Sequence, residues 1–381
     1  MCAKEMGTIL YVGNFRLPDK GASANRVVSN GKIFNQLGYR TVFLGVSEDV
    51  TAPGVHLLDA DRHMYEEAYP RGNRQWLEHM ISVKNIEALV NQYGDVKMVI
   101  LYNAPYTLLL NAKRSFSKKG IKVVYDCTEW TAVTDGSLPK RMVKKWDESF
   151  IRNKIHKKAD GLIVISSRME ESYAGCRNMI KLPPLIDIED PIWHQTMDRD
   201  DTFTFCFAGM LDGSKESLDT IVEAYSRLET AKVKLNIIGV AADKFCAFYE
   251  NGAEVIKECK NELNFMGRLS HEETIKYVAA CDSYIFIRQS DLRNNAGFPT
   301  KFSEAFACGV PIITTGISDV KEYMEKGRGR ILSSVSVDEV ESAMRESINN
   351  SAGREKAELN DTFHYGNYVD ASREWLDKTI N

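Results

Sequence analysis

The chain has 381 residues, 44% of them hydrophobic and 27% charged, an ordinary globular composition that excludes a mostly disordered, collagen-like or disulfide-scaffold protein. That length is too great for one small core and implies two domains. Its 49 basic and 53 acidic residues sum to −4, so no global basic excess points to nucleic acid as a partner, and any basic site must be local.

The opening MCAKEMGTILYVGNF contains a short apolar run that predicts a first strand, ILYVGN, and shows neither a signal-peptide core nor a small-residue cleavage site. No later apolar run is long enough to span a bilayer, so the expectation is a cytoplasmic protein, soluble or peripheral to the membrane. A helix is predicted over Ala24 to Leu37, then strands at TVFLGV, MVILY, KVVYDC and GLIVIS with helical stretches between them. Strands that are apolar along their whole length, separated by amphipathic helices, imply a parallel sheet covered on both faces, an α/β doubly wound domain.

The alternation pauses at LPPLIDIEDPIWHQTMDRDD, rich in Pro and Asp, and resumes with FTFCFAG, a helix from Lys215 to Leu228, then KLNIIG, LNFMGR, YIFIRQ and PIITTG. The expected organisation is a Rossmann-like domain over 1–184, a linker over 185–201 and a second Rossmann-like domain over 202–362. A terminal helix over 363–381 carries Tyr368, Trp375, Leu376 and Ile380 at helical spacing and is expected to pack back on the first domain. Two such lobes facing one another leave a cleft at the C-terminal ends of their strands, where open parallel sheets bind ligands.

The strongest local signal runs from Arg288 to Gly309, a strand, a loop and a helix. Pro299 suits a first helical turn, because its missing N–H would be an orphan there, and it leaves the amides of Thr300, Lys301 and Phe302 pointing out of the helix start. With Lys301 beside that positive end, and Arg288 and Arg293 in the preceding strand and loop, a diphosphate site is expected. Glu304, about a turn further in, has the placement to accept both hydroxyls of a ribose. The plainer alternative is an ion pair of Lys301 with Glu304 on a solvated face. A second basic helix start follows FTFCFAG, where Gly209 precedes a loop and Lys215, and Gly267–Arg268 forms a third turn of this kind.

The order G209-M-L-D-G-S-K215, F-M-G-R268 and G-F-P-T-K-F-S-E304-A-F-A-C-G-V-P-I-I-T-T resembles the C-terminal half of a family 4 glycosyltransferase with the GT-B fold. L17-P-D-K-G-A-S-A-N-R26, Y125-D-C-T-E-W130 and K158-A-D-G-L-I-V-I-S resemble that family's N-terminal half. The resemblance implies a metal-independent transferase that uses a nucleoside diphosphate sugar and retains the anomeric configuration, with the first domain binding the acceptor and the second the donor. It makes Lys215 and Glu304 catalytic. Gly21, Gly209, Arg268, Arg288, Arg293, Phe298, Pro299, Thr300, Lys301 and Glu304 then surround the donor.

The family often has a second glutamate eight positions before Glu304, where this chain has Ala296, so Asn294 or Asn295 is expected to supply a neutral hydrogen bond instead. Met210 stands where an arginine is usual. On the acceptor side, Asp126 and Glu129 end the strand KVVYDC, where a carboxylate can orient or deprotonate a hydroxyl, and Tyr102 and Asn103 end the neighbouring strand. The donor expected is UDP-linked, ahead of GDP or ADP, and the acceptor a saccharide or lipid-linked hydroxyl in cell-surface polysaccharide or glycoconjugate synthesis. A nucleotide-sugar epimerase of the same fold and a non-catalytic partner subunit are the competing readings.

Asp59-Ala-Asp61 has a metal-binding spacing, but that tripeptide arises readily by chance in so acidic a chain, and the dispersed histidines and the eight scattered cysteines form no zinc pattern, so no metal or cofactor is expected. The missing G-x-G-x-x-G after the first strand argues against a nicotinamide enzyme. The segment over 140–158 is basic, with Met142, Val143, Trp146, Phe150 and Ile155 near one helical face. It either lies on an anionic membrane or packs its stripe on the sheet.

Overall fold

Apolar, β-branched runs pair here as the sequence pattern requires. The computed structural model describes residues 6–381 apart from 131–137, 196, 198–199, 212–215, 231, 326–327 and 351–357. It divides into two units, Met1–Asp187 with Ala296–Phe298 and His364–Asn381, and Ile188–Asn295 with Pro299–Phe363. Among the described residues no helix is long and apolar enough to cross a membrane.

The first unit holds β1 (Thr8–Gly13), β2 (Arg40–Ser47), β3 (Val55–Asp59), β4 (Met64–Ala68), β5 (Val96–Tyr102), β6 (Lys122–Cys127), β7 (Gly161–Val164) and β8 (Met179–Lys181) in the order β3-β4-β2-β1-β5-β6-β7-β8. All neighbours are parallel except β3 and β4, which make an antiparallel edge. Leu10 lies between Val42 and Val99, and Ile9, Leu10 and Tyr11 are wholly buried, as a strand covered on both faces must be.

The helix Ala22–Gln36 follows β1 and is entered through Gly21, whose φ of 135° is the reason a glycine stands there. At the other end of the chain the helix Val369–Ile380 turns Trp375 and Leu376 into the same core as Ile9, Met98 and Leu182. Burial of two such side chains contributes roughly 3–6 kcal/mol, which is what ties the chain's end to the unit containing its beginning.

The second unit holds β9 (Phe203–Ala208), β10 (Val233–Ile238), β11 (Glu262–Gly267), β12 (Ser283–Phe286), β13 (Ile312–Thr315) and β14 (Gly329–Leu332), all parallel, in the order β11-β10-β9-β12-β13-β14. Phe205, Phe207, Ile221, Leu235, Ile285 and Ile313 form its core. The segment read as a linker over 185–201 joins this unit from Ile188 onward, because Trp193 is buried and sets its ring edge-on to His271. The helix expected to open at Lys215 starts at Leu218. Ser217 donates its N–H to the Ile287 carbonyl (3.0 Å), which holds the backbone at the end of β12 and delays the helix; Lys215 itself lies outside the described residues.

One expected site residue belongs to the core. Asp126 is fully buried in β6 and accepts a two-pronged pair from Arg26, Nη2 to Oδ1 at 2.8 Å and Nε to Oδ2 at 3.1 Å. The Tyr11 hydroxyl also donates to Oδ2, and Asn30 donates to the Tyr11 oxygen (3.1 Å). Arg26 spends its remaining nitrogen on the carbonyls of Leu182 (2.8 Å) and Pro183 (3.3 Å). Burial by itself lowers the Arg26 pKa, but the adjacent Asp126 charge outweighs it and the guanidinium is held above its ordinary value. Asp126 is therefore not an acceptor-side residue: its oxygens are consumed in joining the first helix to β6 and to the chain after β8. Asp126→Asn should leave a buried, half-paired guanidinium and cost about 3–5 kcal/mol, read as a large drop in the thermal midpoint; an unchanged midpoint would return Asp126 to the list of site residues.

Candidate functional site

Parallel strands finish at one edge, so the residues just after them are brought together whatever their distance in sequence. In the second unit Gly209 and Gly239 directly follow β9 and β10 and Gly267 ends β11, and the Gly209 N–H donates to the Ile238 carbonyl (2.9 Å) while the Gly239 N–H donates to the Gly267 carbonyl (2.6 Å). Gly239 has a φ of 93° and its Cβ, were there one, would run into the Gly209 carbonyl, so this edge is close-packed backbone that only glycine permits.

Against Gly209 stands a cluster of three charges. The side chain of Glu216 is only 5% exposed, and its Oε1 accepts from Lys301 Nζ (2.5 Å) and from Arg288 Nη2 (3.0 Å). An added Cβ at Gly209 would collide with Glu216 Oε2 and Lys301 Nζ. Glu216 Oε2 and Arg288 Nε are buried without a hydrogen-bond partner among the described residues. Arg288 is held in place by Thr315, whose hydroxyl accepts from its N–H (3.1 Å) and donates to its carbonyl (2.7 Å). Lys301 lies on the helix Thr300–Ala307, whose N-cap is Pro299 and whose start has no side-chain cap; the Phe302 N–H donates to the Pro299 carbonyl (3.0 Å), which leaves the Thr300 and Lys301 amides for another acceptor.

Lys301 and Glu304 do not pair with each other as the plainer reading expected. Glu304 bonds instead to His271 (Oε1 to Nε2, 3.1 Å), which opens the helix His271–Ala280. Arg268 is exposed just beyond Gly267, and Arg293 is half-buried on the short helix Leu292–Ala296. Asn294 and Asn295 do not replace the absent glutamate: Asn294 donates to the Gln289 carbonyl (2.9 Å) and to Asp291 (3.1 Å), while Asn295 donates to the Asp291 carbonyl (2.7 Å) and accepts from the Ser318 N–H (3.1 Å). Their amides are used in building the loop. Phe298 is buried and groups with the first unit, together with Ala296.

The first unit has a cavity of about 600 Å³ over the ends of β1 and β5, where its strand order reverses. Asn14, Trp76, His79, Asn103, Asp147 and Glu148 are among the residues that line it. Aromatic faces beside carboxylates and amides suit a polyhydroxylated ring, whose C–H faces stack while its hydroxyls find polar partners. Asn103 lies in this wall, and its side chain is clamped to Thr128, donating to Oγ1 (2.6 Å) and accepting from the N–H (2.9 Å). Burial pushes the Asp147 carboxyl above its ordinary pKa, opposed by the Tyr106 N–H that donates to it at 2.8 Å. Glu129 is exposed past the end of β6 and is not part of this wall.

Among the described residues no group of His, Cys, Asp and Glu is placed to hold a metal ion. Asp59 uses its oxygens on the Asp61 N–H (2.9 Å) and Arg62 Nε (2.6 Å). Sequence reasoning missed Glu216, His271, Trp76 and Asp147. Only Glu216 carried a local hint, as the neighbour of Lys215.

Residues 202–350 match the family model described as Glycosyl transferases group 1. No curated protein matches the chain. Sucrose-phosphate synthase from Thermosynechococcus elongatus is similar in structure with a TM-score of 0.67 at 14% identity, over 98% of this chain and 96% of that one. Anabaena HepE in complex with UDP gives 0.65 at 14%, over 97% and 99%. The catalytic domain of Arabidopsis thaliana starch synthase IV bound to ADP and acarbose gives 0.67 at 10%, over 98% and 99%. The fold is that of GT-B glycosyltransferases. With the match over 202–350, the second unit carries a glycosyltransferase domain.

Glu216 neutralises two cations at an edge suited to a phosphate. Glu216→Gln should therefore tighten the binding of inorganic pyrophosphate about tenfold and steepen its salt dependence, measured by calorimetry at two ionic strengths. Weaker binding by the variant would mean that the carboxylate is needed to position Arg288 and Lys301.

Proposed function

We propose that this chain transfers a glycosyl residue from a UDP-linked sugar to a hydroxyl of a saccharide or lipid-linked acceptor, with retention at the anomeric carbon, in cell-surface polysaccharide or glycoconjugate synthesis in the cytoplasm. The observation that carries this reading is the gathering of Arg288, Lys301 and an uncapped helix start against Gly209, at the reversal of strand order in the unit that matches the glycosyltransferase model. In the transfer the bond from the anomeric carbon to the phosphate oxygen breaks and a bond to the acceptor oxygen forms. Positive charge grows on the sugar ring and negative charge on the departing diphosphate.

Fixed cations and oriented amides lower that barrier because they are already in place when the charge develops, each such donor being worth about 3 kcal/mol. Arg288, Lys301 and the Thr300 amide would take the diphosphate, with Lys215, Arg268 and Arg293 contributing charge and Phe298 and Pro299 shaping the approach. Glu304, oriented by His271, would accept the ribose hydroxyls. Gly209 admits the donor to the backbone, and Gly21 keeps the loop before the first helix open. With Asp126 consumed in the core, Glu129 is the carboxylate that remains at the end of β6, but it lies outside the wall of the cavity, lined by Trp76, Asn103 and Asp147, that would hold the acceptor.

The test is a thermal-shift panel of UDP, GDP, ADP, CMP and NAD on the wild type and on Glu304→Ala. UDP at 100 times its dissociation constant should add about 2.7 kcal/mol of stability to the wild type and little to the variant. A shift by none of the five, or by NAD alone, overturns the reading. Consumption of UDP-sugar into a second UDP-sugar with no acceptor present would identify an epimerase instead.

A further inference from the structure

The helix Leu138–Lys158 carries eight lysines and arginines against two acidic residues, a formal +6 within a chain that sums to −4, so the remainder carries −10. Charge is thus concentrated on one element. The helix is also apolar on its outside. Leu138, Met142, Trp146 and Phe150 succeed one another at four-residue steps along one side and are 75%, 54%, 62% and 46% exposed, with Val143 beside them, and Phe150 at the end of the row stacks on Tyr106. On the opposite side Ile151 and Ile155 are buried and attach the helix to its unit. Apart from Phe150, the outward row is therefore not what attaches the helix, and the expected packing of the whole stripe on the sheet does not occur.

Scattered exposed apolar residues need no explanation, but an unbroken row of four large ones marks a contact surface. Charge decides what covers it. Exposed Lys145 flanks the row on one side and exposed Lys154 on the other. A second copy applied to this face would bring +6 against +6, whereas a bilayer containing acidic phospholipids offers phosphates to the flanking lysines and an acyl boundary to the apolar row. We propose that this helix docks on the surface of an anionic lipid bilayer, inserting Leu138, Met142 and Trp146 below the head groups.

The same helix supplies Lys144, Asp147, Glu148 and Ile151 to the wall of the first unit's cavity. An acceptor saccharide anchored in that bilayer would reach the cavity along the helix that touches the membrane. This consequence rests on the transferase reading; the docking surface does not.

The experiment is co-sedimentation of the full chain with vesicles of phosphatidylcholine alone and with about one third phosphatidylglycerol. Binding to the anionic vesicles should exceed binding to neutral ones by about tenfold or more and fall with added salt. The double variant Met142→Ser, Trp146→Ser should lose about tenfold while keeping the wild-type thermal midpoint, since both positions are exposed. No preference for anionic vesicles, full binding by the variant, or a dimer abolished by the variant in the absence of vesicle binding would each overturn the proposal. The UDP-induced thermal shift is read in parallel. Vesicle binding without it leaves the docking surface standing and removes the transferase reading, and the reverse result does the opposite.

Discussion

A strand that pairs in parallel with its predecessor cannot turn back directly; the chain has to cross over the sheet and start again from the same edge. Every strand then ends at the opposite edge, and where the order of strands reverses, the connections leave toward opposite faces and open a crevice. Apart from the antiparallel edge strand β3, both sheets here obey this constraint, with reversals between β1 and β5 and between β9 and β12. The cavity of the first unit and the charge cluster of the second lie at those two places. Residues as distant in sequence as Glu216 and Lys301 become neighbours for that reason, and Asn14 and Glu148 come to line one cavity.

The two reversals carry different chemistry. In the first unit the wall is mixed, aromatic faces among carboxylates and amides, the composition that recognises a neutral polyhydroxylated ligand. In the second, two cations converge on one buried carboxylate beside a glycine-lined strand edge, which is an arrangement for an anion. Glu216 keeps those cations from facing one another uncompensated, and it also stands where a phosphate would be stabilised. That balance between holding and competing is the electrostatic question the site poses.

Asp126 and Glu129 show how sharply position decides the fate of a carboxylate. They are three residues apart, yet one is inside β6 and locked to Arg26, while the other is past the strand end and exposed. The Arg26 pair joins the first helix, β6 and the carbonyls of Leu182 and Pro183, so the first unit is closed by a polar contact as well as by its apolar core. The terminal helix adds Trp375 and Leu376 to that core.

The periodicity of the sequence determined the α/β class, the division into two parallel-sheet units and the existence of nearly every central strand, because burial on both faces leaves an unmistakable apolar run. It did not reveal β3, whose mostly exposed residues carry no such pattern, the short β4 and β8, nor β14 with its half-polar GRIL. Motif spacing placed Arg288, Lys301 and Glu304 on the right strand end and helix start, since those positions depend on local backbone chemistry. Which side chains meet was decided only by the tertiary structure: Lys301 with Glu216 rather than with Glu304, Glu304 with His271, Asp126 with Arg26, and Asn294 and Asn295 with their own loop. The outward face of the Leu138–Lys158 helix was likewise invisible in one dimension, because a stripe has the same period whether it faces a sheet or the solvent. Pairing and facing are relations between segments, and a single sequence records the segments but not the distances between them.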